Sequence, residues 1–262
     1  MTAAADRPQR WNRLLELLAH SGRLSVEEAS AVLEVSPATI RRDFTALAEQ
    51  QLATRTHGGI VATSVAYELP ARYRHADEAK HRIAEHAAES IEPHCVVGMN
   101  GGTTTTAVAR ALAGRTDLSG SGDEQLTIVT NALNIASELV LRPHLRTVCL
   151  GGTARRESYE LYGPLAERSL AELRLDTLVL GVNAISAEGG AQCKHLGEAG
   201  VNAEMVRRAT QVVVVATSDK LGRSALARIC PIDQVDLLIT DSDADPDAVA
   251  ALRAAGVRVD LV

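Results

Sequence analysis

A glycine- and threonine-rich segment has the composition of an anion-binding loop. The run NGGTTTT, residues 100–106, follows the apolar run 95–99 and precedes a helical pattern over 104–113. Glycines let the backbone approach a ligand, and threonine hydroxyls beside the free N–H groups of a helix N-terminus suit a phosphate. The segment is neither a GxGxxG fingerprint nor a P-loop, because it lacks the G-K-[ST] ending. Taken alone, it is equally typical of a tight turn between a strand and a helix.

Small polar residues also follow other predicted strands of this region. Because the carboxyl ends of parallel strands meet at one edge of a sheet, these residues predict a polar pocket there. Lys220 could neutralise a phosphate and Asn131 could bind a sugar hydroxyl, whereas Glu198 either does the same or favours the start of its own helix. The candidate ligand-binding residues are Asn100, Gly101, Gly102, Thr103, Thr104, Thr105, Asn131, Gly152, Asn183, Glu198 and Lys220.

A second segment, residues 36–49, combines a helical pattern with a basic face. Ser36 is a strong N-cap type, and the proline that follows it suits the first turn of a helix. Apolar residues at 40, 44 and 47 define the inner face. The opposite face carries Ala38, Arg41, Arg42 and Thr45. Arginine pairs bidentately with guanine edges or phosphates, so this face predicts a DNA-reading helix, with a solvated surface helix as the alternative.

The residues after this helix have the pattern of a short hairpin. Two β-prone runs, 52–56 and 60–63, flank His57-Gly58-Gly59, and Arg55 adds a second basic side chain. No acidic residue occurs between Gln50 and Tyr67. The cap, the helical periodicity, the basic face and the hairpin together predict a winged recognition helix.

Two earlier helical patterns position the recognition helix. The first covers residues 10–19 and ends before Gly22, and Ser25-Val26-Glu27-Glu28 has the form of a capping box that begins the second. We therefore predict a winged helix-turn-helix domain over residues 1–63. A linker with little periodicity is predicted for residues 64–76.

Residues 77–262 have the alternation of an α/β domain. After a predicted helix over 77–91, seven short apolar runs alternate with helical patterns, which predicts a parallel sheet covered by helices on both faces. The strand-like runs are 95–99, 126–130, 146–150, 177–181, 211–216, 235–240 and 257–261. The fold class is therefore α/β: a small winged helix-turn-helix followed by a larger Rossmann-like domain.

Composition and charge exclude several classes of protein. No run reaches the roughly 18–20 apolar residues of a membrane span, and the N-terminus lacks the apolar core of a signal peptide. The four cysteines are widely spaced, which predicts isolated buried thiols, a cytoplasmic location, and neither metal nor cofactor. Residues 1–62 hold seven basic and seven acidic residues, so the whole net charge of −6 belongs to the rest of the chain. DNA binding would then depend on a local basic patch.

The chain resembles the DeoR family of bacterial transcription regulators over roughly residues 10–241. SPATIRRDFTALAEQQLATRTHGG is similar to that family's recognition helix and wing, and GGTTTTAVARAL, VTNALNIA, YGPLAE and SDKLGR are similar to its C-terminal motifs. The resemblance implies a sensor domain of the fold of ribose-5-phosphate isomerase and glucosamine-6-phosphate deaminase. It also implies a phosphorylated sugar as inducer, operator DNA as partner, and a homo-oligomer, a dimer or tetramer.

The resemblance assigns roles to particular positions. It places Thr39 on the DNA-reading helix with Arg41 and Arg42, and His57, Gly58 and Gly59 on the wing. Two positions depart from the family pattern. Asn100 stands where an aspartate is common, and the residues before Glu198 read QCKHL instead of an acidic run. The SYELYGPLAE segment is more similar to the amino-sugar branch of the family.

An enzyme is the alternative interpretation of the C-terminal domain. A phosphosugar isomerase or deaminase needs a carboxylate base and a stabilising lysine, and Glu198 and Lys220 are candidates. However, Asn100 and Asn183 occupy strand ends where a carboxylate would be useful, and an amide cannot act as a base. A DNA-binding domain would also serve no purpose in a metabolic isomerase. We therefore expect a sensor that binds without turnover.

Overall fold

The computed structural model describes residues 7–49, 52–62, 78–115, 117 and 126–262. The chain divides into two compact units, Met1–Glu68 and Leu69–Val262. The predicted linker, residues 64–76, lies outside the described residues. Each unit is considered by itself below.

The N-terminal unit is a winged helix-turn-helix, as predicted. It is built from α1 (Arg7–Ser21), β1 (Arg23–Ser25), α2 (Val26–Leu33), α3 (Pro37–Glu49), β2 (Ala53–Arg55) and β3 (Gly59–Ala62). The predicted capping box is present, since Ser25 and Glu28 exchange side-chain and backbone hydrogen bonds at the start of α2. Strand β1 was not predicted. It pairs with β3, so the wing is a three-stranded antiparallel sheet in the order β1-β3-β2.

A small apolar core holds the three helices together. Ile40, Phe44 and Leu47, the predicted inner face of α3, are completely buried against Leu14 and Leu18 of α1. The periodicity of the helix therefore decides which residues enter the core and which remain on its outer face.

A buried ion pair joins α1 to α3 beside this core. Asp43 of α3 accepts from Arg10 Nε at 2.6 Å and from Trp11 Nε1 at 2.9 Å, and both Arg10 and Asp43 are less than 10% exposed. Asp43 faces inward, whereas Arg41 and Arg42 face outward. Consecutive residues of α3 therefore provide one buried charge, which belongs to the ion pair, and two exposed charges on the outer face.

The C-terminal unit is a Rossmann-like α/β domain with two additional small sheets. Its helices are α4 (Glu78–Glu89), α5 (Thr103–Gly114), α6 (Leu133–Leu139), α7 (Pro164–Ala171), α8 (Leu196–Arg208) and α9 (Pro246–Ala254). Its strands are β4 (Val96–Met99), β5 (Leu126–Thr130), β6 (Leu145–Cys149), β7 (Thr153–Ala154), β8 (Leu161–Tyr162), β9 (Leu175–Gly181), β10 (Ala184–Ser186), β11 (Gly190–Cys193), β12 (Ala209–Val215), β13 (Ala227–Cys230), β14 (Leu237–Thr240) and β15 (Arg258–Leu261).

The main sheet has seven parallel strands in the order β15-β14-β12-β9-β4-β5-β6. They correspond to the seven predicted runs. Alternate residues of the central strands enter two separate cores, one shared with α4, α5 and α6 and the other with α7, α8 and α9. The prediction of helices on both faces is therefore confirmed.

The expected burial of all four cysteines is wrong for Cys149. This residue ends β6, the edge strand of the sheet, and its side chain is exposed. The sequence analysis also missed the antiparallel sheet β10-β11-β13 and the short pair β7-β8, whose strands are only two to four residues long.

The order of the main sheet reverses at β4. The chain runs from β4 to β5 and β6 on one side, and then returns to β9, β12, β14 and β15 on the other. The carboxyl ends of β4 and β9 therefore border the switch point, where ligands bind in open α/β sheets.

The two glycines at the wing tip should respond differently to substitution. A Cβ on Gly59 would lie 2.1 Å from the backbone oxygen of Leu24, whereas one on Gly58 would have no atom within 4 Å. Gly59→Ala should therefore destabilise the N-terminal unit by about 1–3 kcal/mol, with Gly58→Ala as the matched control. Unfolding followed by the fluorescence of Trp11, the single tryptophan, reports on this unit. Equal stability of the two variants would contradict the β1–β3 register.

Candidate DNA-binding face and candidate effector site

The outer face of α3 presents the predicted DNA-reading side chains to solvent. Ala38, Arg41 and Arg42 are all exposed. The Ser36 hydroxyl accepts from the N–H of Thr39 at 3.2 Å and lies 2.9 Å from its hydroxyl. Ser36 is therefore engaged at the N-terminus of α3 and holds Thr39 at the start of the exposed face.

Arg55 connects the wing to this helix. Its Nη1 donates to Thr45 Oγ1 at 2.5 Å and lies 3.5 Å from the backbone oxygen of Arg41, while the Thr45 hydroxyl itself donates to that oxygen at 2.9 Å. These contacts border an open depression of about 350 Å³ between α3 and β2. In the free protein, Thr45 and Arg55 thus position the wing strand against the helix.

The predicted residues of the wing tip separate into two environments. His57 and Gly58 are exposed, whereas Gly59 is buried where β3 pairs with β1. The backbone oxygen of Gly58 accepts from the N–H of Val26 at 3.0 Å. The structure therefore gives Gly59 a role in strand pairing and leaves His57 available to a partner.

In the C-terminal unit, Asn100 joins the two strands at the switch point. Its Nδ2 donates to the backbone oxygen of Gly181 at 2.9 Å, and its Oδ1 accepts from the Gly181 N–H at 2.7 Å. Asn100 is 2% exposed, so this pair of bonds is buried at the ends of β4 and β9. An amide suits this position because it supplies both a donor and an acceptor.

The N-terminus of α5 lies immediately after this bridge. Its N-cap residue, Gly102, has a φ of 139°, and among the described residues no side chain caps the helix. The hydroxyls of Thr105 and Thr106 donate back to the Gly102 oxygen at 3.1 and 2.6 Å. Thr103 and Thr104 complete the first turn, whose backbone N–H groups and positive helix dipole suit an anion.

Glu160 adds a buried carboxyl group to this end of the helix. It accepts from Asn131 Nδ2 at 3.1 Å, from the Gly101 N–H and from the Asn202 side chain. Burial, followed by the negative charge of Glu198, raises the pKa of Glu160 to about 7. A Cβ at Gly101 would lie 2.4 Å from Glu160 Cγ, so Gly101 is required for this approach.

Glu198 stands beside Glu160 on the first turn of α8. Its Oε1 accepts from Arg155 Nη1 at 2.8 Å and from the Ser158 hydroxyl. The hydrogen bond to Glu198 is the main reason why the pKa of Arg155 is raised. The Glu198 N–H donates to Nδ1 of His195, the N-cap residue, at 3.2 Å. The backbone of Glu198 thus takes part in capping its helix, and its carboxyl group lies near that of Glu160.

The remaining predicted ligand-binding residues contact other residues of the C-terminal unit. Lys220 Nζ lies 2.7 Å from Asp219 Oδ2 in the turn after β12, and Asn183 Oδ1 accepts from the Lys194 N–H at 3.0 Å. A Cβ on Gly152 would lie 2.9 Å from the backbone oxygen of Tyr162, so Gly152 permits the close packing of β7 on β8. Asn131 is completely buried and also donates to the Leu161 oxygen at 3.1 Å.

Protein-family models match both units of the chain. The DeoR-like helix-turn-helix domain matches residues 10–65, and the DeoR C terminal sensor domain matches residues 75–242. This protein belongs to the DeoR family. The candidate DNA-binding face and the candidate effector site therefore lie in the helix-turn-helix domain and the sensor domain respectively.

Curated relatives that align with this DeoR-family chain over nearly their whole length are named as regulators. It is 36% identical to the HTH-type transcriptional regulator GlpR of Haloferax volcanii over 96% of each chain. It is 32% identical to the glycerol-3-phosphate regulon repressor of Escherichia coli K12, covering 97% of this chain and 98% of that one. The protein is a transcriptional regulator and not an enzyme.

One solved structure matches part of this chain. Ribose 5-phosphate isomerase A of Methanocaldococcus jannaschii aligns with a TM-score of 0.38 and 15% identity, over 56% of this chain and 53% of that one. A likeness of this size carries no argument about function.

Glu160 is the site residue that the sequence analysis of this DeoR-family chain missed. It lies within the SYELYGPLAE segment, which was related to the amino-sugar branch without assigning a role to any of its residues. A glutamate between two large side chains just before the Gly-Pro start of α7 was the available signal. Its contact with Gly101 depends on a pairing of distant loops that periodicity does not reveal.

Membrane spans and metal clusters are both absent from the described residues. In the described part of the chain, no helix is long and apolar enough to cross a membrane. Over the same residues, no group of three or more histidine, cysteine, aspartate or glutamate side chains could hold a metal ion.

Replacing Asn100 by the aspartate common in the family should destabilise the sensor domain in a pH-dependent way. A carboxylate oxygen would face the Gly181 oxygen, so the folded-state pKa of the introduced carboxyl group would be raised and stability would fall as the pH rises above about 4. Asn100→Asp should cost about 1–3 kcal/mol or more at pH 8 and much less at pH 4. Urea unfolding at several pH values measures this cost.

Asn183→Asp is the matched control for this experiment. Asn183 is exposed and its Oδ1 accepts a bond, so a carboxylate is tolerated there. A pH dependence that is equal in the two variants would rule out a special requirement for an amide at the switch point.

Proposed function

We propose that this regulator represses a sugar-catabolic operon and leaves its operator when a phosphorylated sugar binds the sensor domain. The observation that carries the proposal is the N-terminus of α5, which lies uncapped by any described side chain at the switch point of the sheet. An anion is the ligand that such a helix end favours. The E. coli relative, a repressor of a glycerol-3-phosphate regulon by name, supports the same class of effector.

Within this class, the sequence favours an amino-sugar phosphate. The support is the SYELYGPLAE segment and its Glu160, which together with Glu198 provides two carboxyl groups near the proposed phosphate position.

We propose that DNA release follows from linkage between the two ligands. Effector binding would favour an arrangement of two wings, in a homodimer or tetramer, that no longer matches the spacing of the operator half-sites. Operator binding requires the protein to act where the chromosome lies, so the proposed function implies a cytoplasmic location.

Fluorescence anisotropy on the protein's own promoter DNA tests this function. The preformed complex is titrated with a panel of phosphosugars and amino-sugar phosphates, with the unphosphorylated sugars as controls. Release by one phosphorylated compound at micromolar concentration would support the proposal. Operator binding that no member of the panel relieves would contradict the proposed effector class while leaving the DNA-binding role intact.

The exposed arginines of α3 should determine operator affinity. Arg41→Ala and Arg42→Ala should each weaken operator binding by about 1–3 kcal/mol, because each removes a contact with a base or phosphate. Arg13→Ala is the charge-matched control, since Arg13 is an exposed residue of α1 that pairs with Glu16. Loss of affinity in the control alone would place the DNA contacts elsewhere.

Thr104 should be required for the response to effector and not for DNA binding. Thr104→Val keeps the shape of the side chain but removes a hydroxyl from the first turn of α5. The variant should bind operator like the wild type and need at least about tenfold more effector for release, which corresponds to the loss of one hydrogen bond to a charged group. Release at the wild-type concentration would move the phosphate site away from this turn.

A further inference from the structure

Glu160 is a buried carboxyl group whose charge is not balanced by a direct ion pair in the described structure. It is 5% exposed, and its hydrogen bonds come from two amides and a backbone N–H. The nearby cation, Arg155, donates instead to Glu198. A carboxylate in such surroundings is costly to ionise, because neither water nor a dedicated cation compensates its charge.

The charged and titratable groups around Glu160 come from several elements. Glu198 of α8 is the nearest acid that raises its pKa, and the first turn of α5 contributes no acid. Arg155 and its exposed partner Glu157 precede Glu160 in the same loop. His195 caps α8, and Cys193 of β11 is a thiol whose pKa burial raises to about 11, so it remains uncharged. The surroundings of Glu160 therefore favour a neutral carboxyl group.

Two buried amide side chains bond to the Glu160 carboxyl group, and each keeps one oxygen unpartnered within the described structure. Asn131 and Asn202 are both essentially fully buried and both donate to the Glu160 carboxyl group. Their Oδ1 atoms have no hydrogen-bond partner among the described residues. A protonated Glu160 supplies an O–H donor, whereas an ionised one supplies none. Protonation therefore adds a donor beside two side chains whose amide oxygens have no partner in the described part of the chain.

We propose that Glu160 controls the anion affinity of the effector site by holding a proton when a doubly charged anion occupies the N-terminus of α5. This inference rests on the proposed effector site and goes beyond it. Glu160 contacts Gly101, one residue before the N-cap of α5, so an anion bound at the first turn lies close to its carboxyl group. The proton removes the repulsion between two negative groups, and it is taken up from solvent.

The anion affinity of this site should depend on pH in one direction. The pKa of about 7 means that the free site is partly protonated at neutral pH, and a bound dianion raises that pKa further. Anion affinity should therefore be highest below pH 7 and decrease as the pH rises and Glu160 loses its proton. A ligand without the anionic group meets no such repulsion, so its affinity should not change as Glu160 loses its proton.

Inorganic sulfate is the probe for this test, because it keeps both negative charges between about pH 6 and about pH 8. Binding to the full-length protein is followed through the amide NMR signals of Thr103 and Thr104, which report on the first turn of α5. In the wild type, the sulfate affinity should fall about tenfold across this range. In Glu160→Gln, which imitates the protonated acid, it should change little and exceed the wild-type affinity at pH 8.

Glu198→Gln provides a second, independent variant. Removing its charge should lower the pKa of Glu160 and move the midpoint of the affinity loss to lower pH without abolishing it. An equal pH slope in wild type and Glu160→Gln would overturn the proposal, as would a wild-type affinity that does not change with pH. Absence of sulfate shifts at Thr103 and Thr104 in every variant would also overturn it. These outcomes are separate from operator release by phosphosugars, which tests the proposed function.

Discussion

The pairing of β4 with both β5 and β9 is the constraint on which the sensor site depends. Strands β4 and β9, which are about 80 residues apart in sequence, lie side by side, and the buried amide of Asn100 joins their carboxyl ends through two hydrogen bonds to Gly181. This bridge fixes the loop that precedes α5. A carboxylate, whose two oxygens only accept, would not satisfy both Gly181 groups, which gives a physical reason for an amide at position 100.

Burial changes the chemistry of the acidic residues around this bridge. Glu160 is held by amides and a backbone N–H, whereas Glu198 has the guanidinium of Arg155. The two glutamates therefore differ in whether a cation is bonded to the carboxyl group, because their partners differ. The contrast leaves Glu160 as the buried carboxyl group without a cation of its own among the described residues, and burial raises its pKa to about 7.

The same separation of buried from exposed charge organises the DNA-binding unit. Asp43 is buried and bonded to Arg10 and Trp11, while the adjacent Arg42 faces solvent. Breaking a buried ion pair costs about 3–5 kcal/mol because the remaining charge loses its partner. The orientation of the recognition helix is thus maintained by an interaction that is itself inaccessible to DNA.

The sequence by itself determined the winged helix-turn-helix, the seven parallel strands and the exposed face of α3, because these follow from local periodicity, capping and runs of apolar residues. Asn100 and Gly102 were also predicted as candidate site residues, since a glycine- and threonine-rich turn is a local signal. Only the tertiary structure decided that Glu160 contacts Gly101 and that Gly59 is required by β1. Both depend on segments far apart in the chain, and a short strand or a single buried glutamate has no period that would reveal its partner.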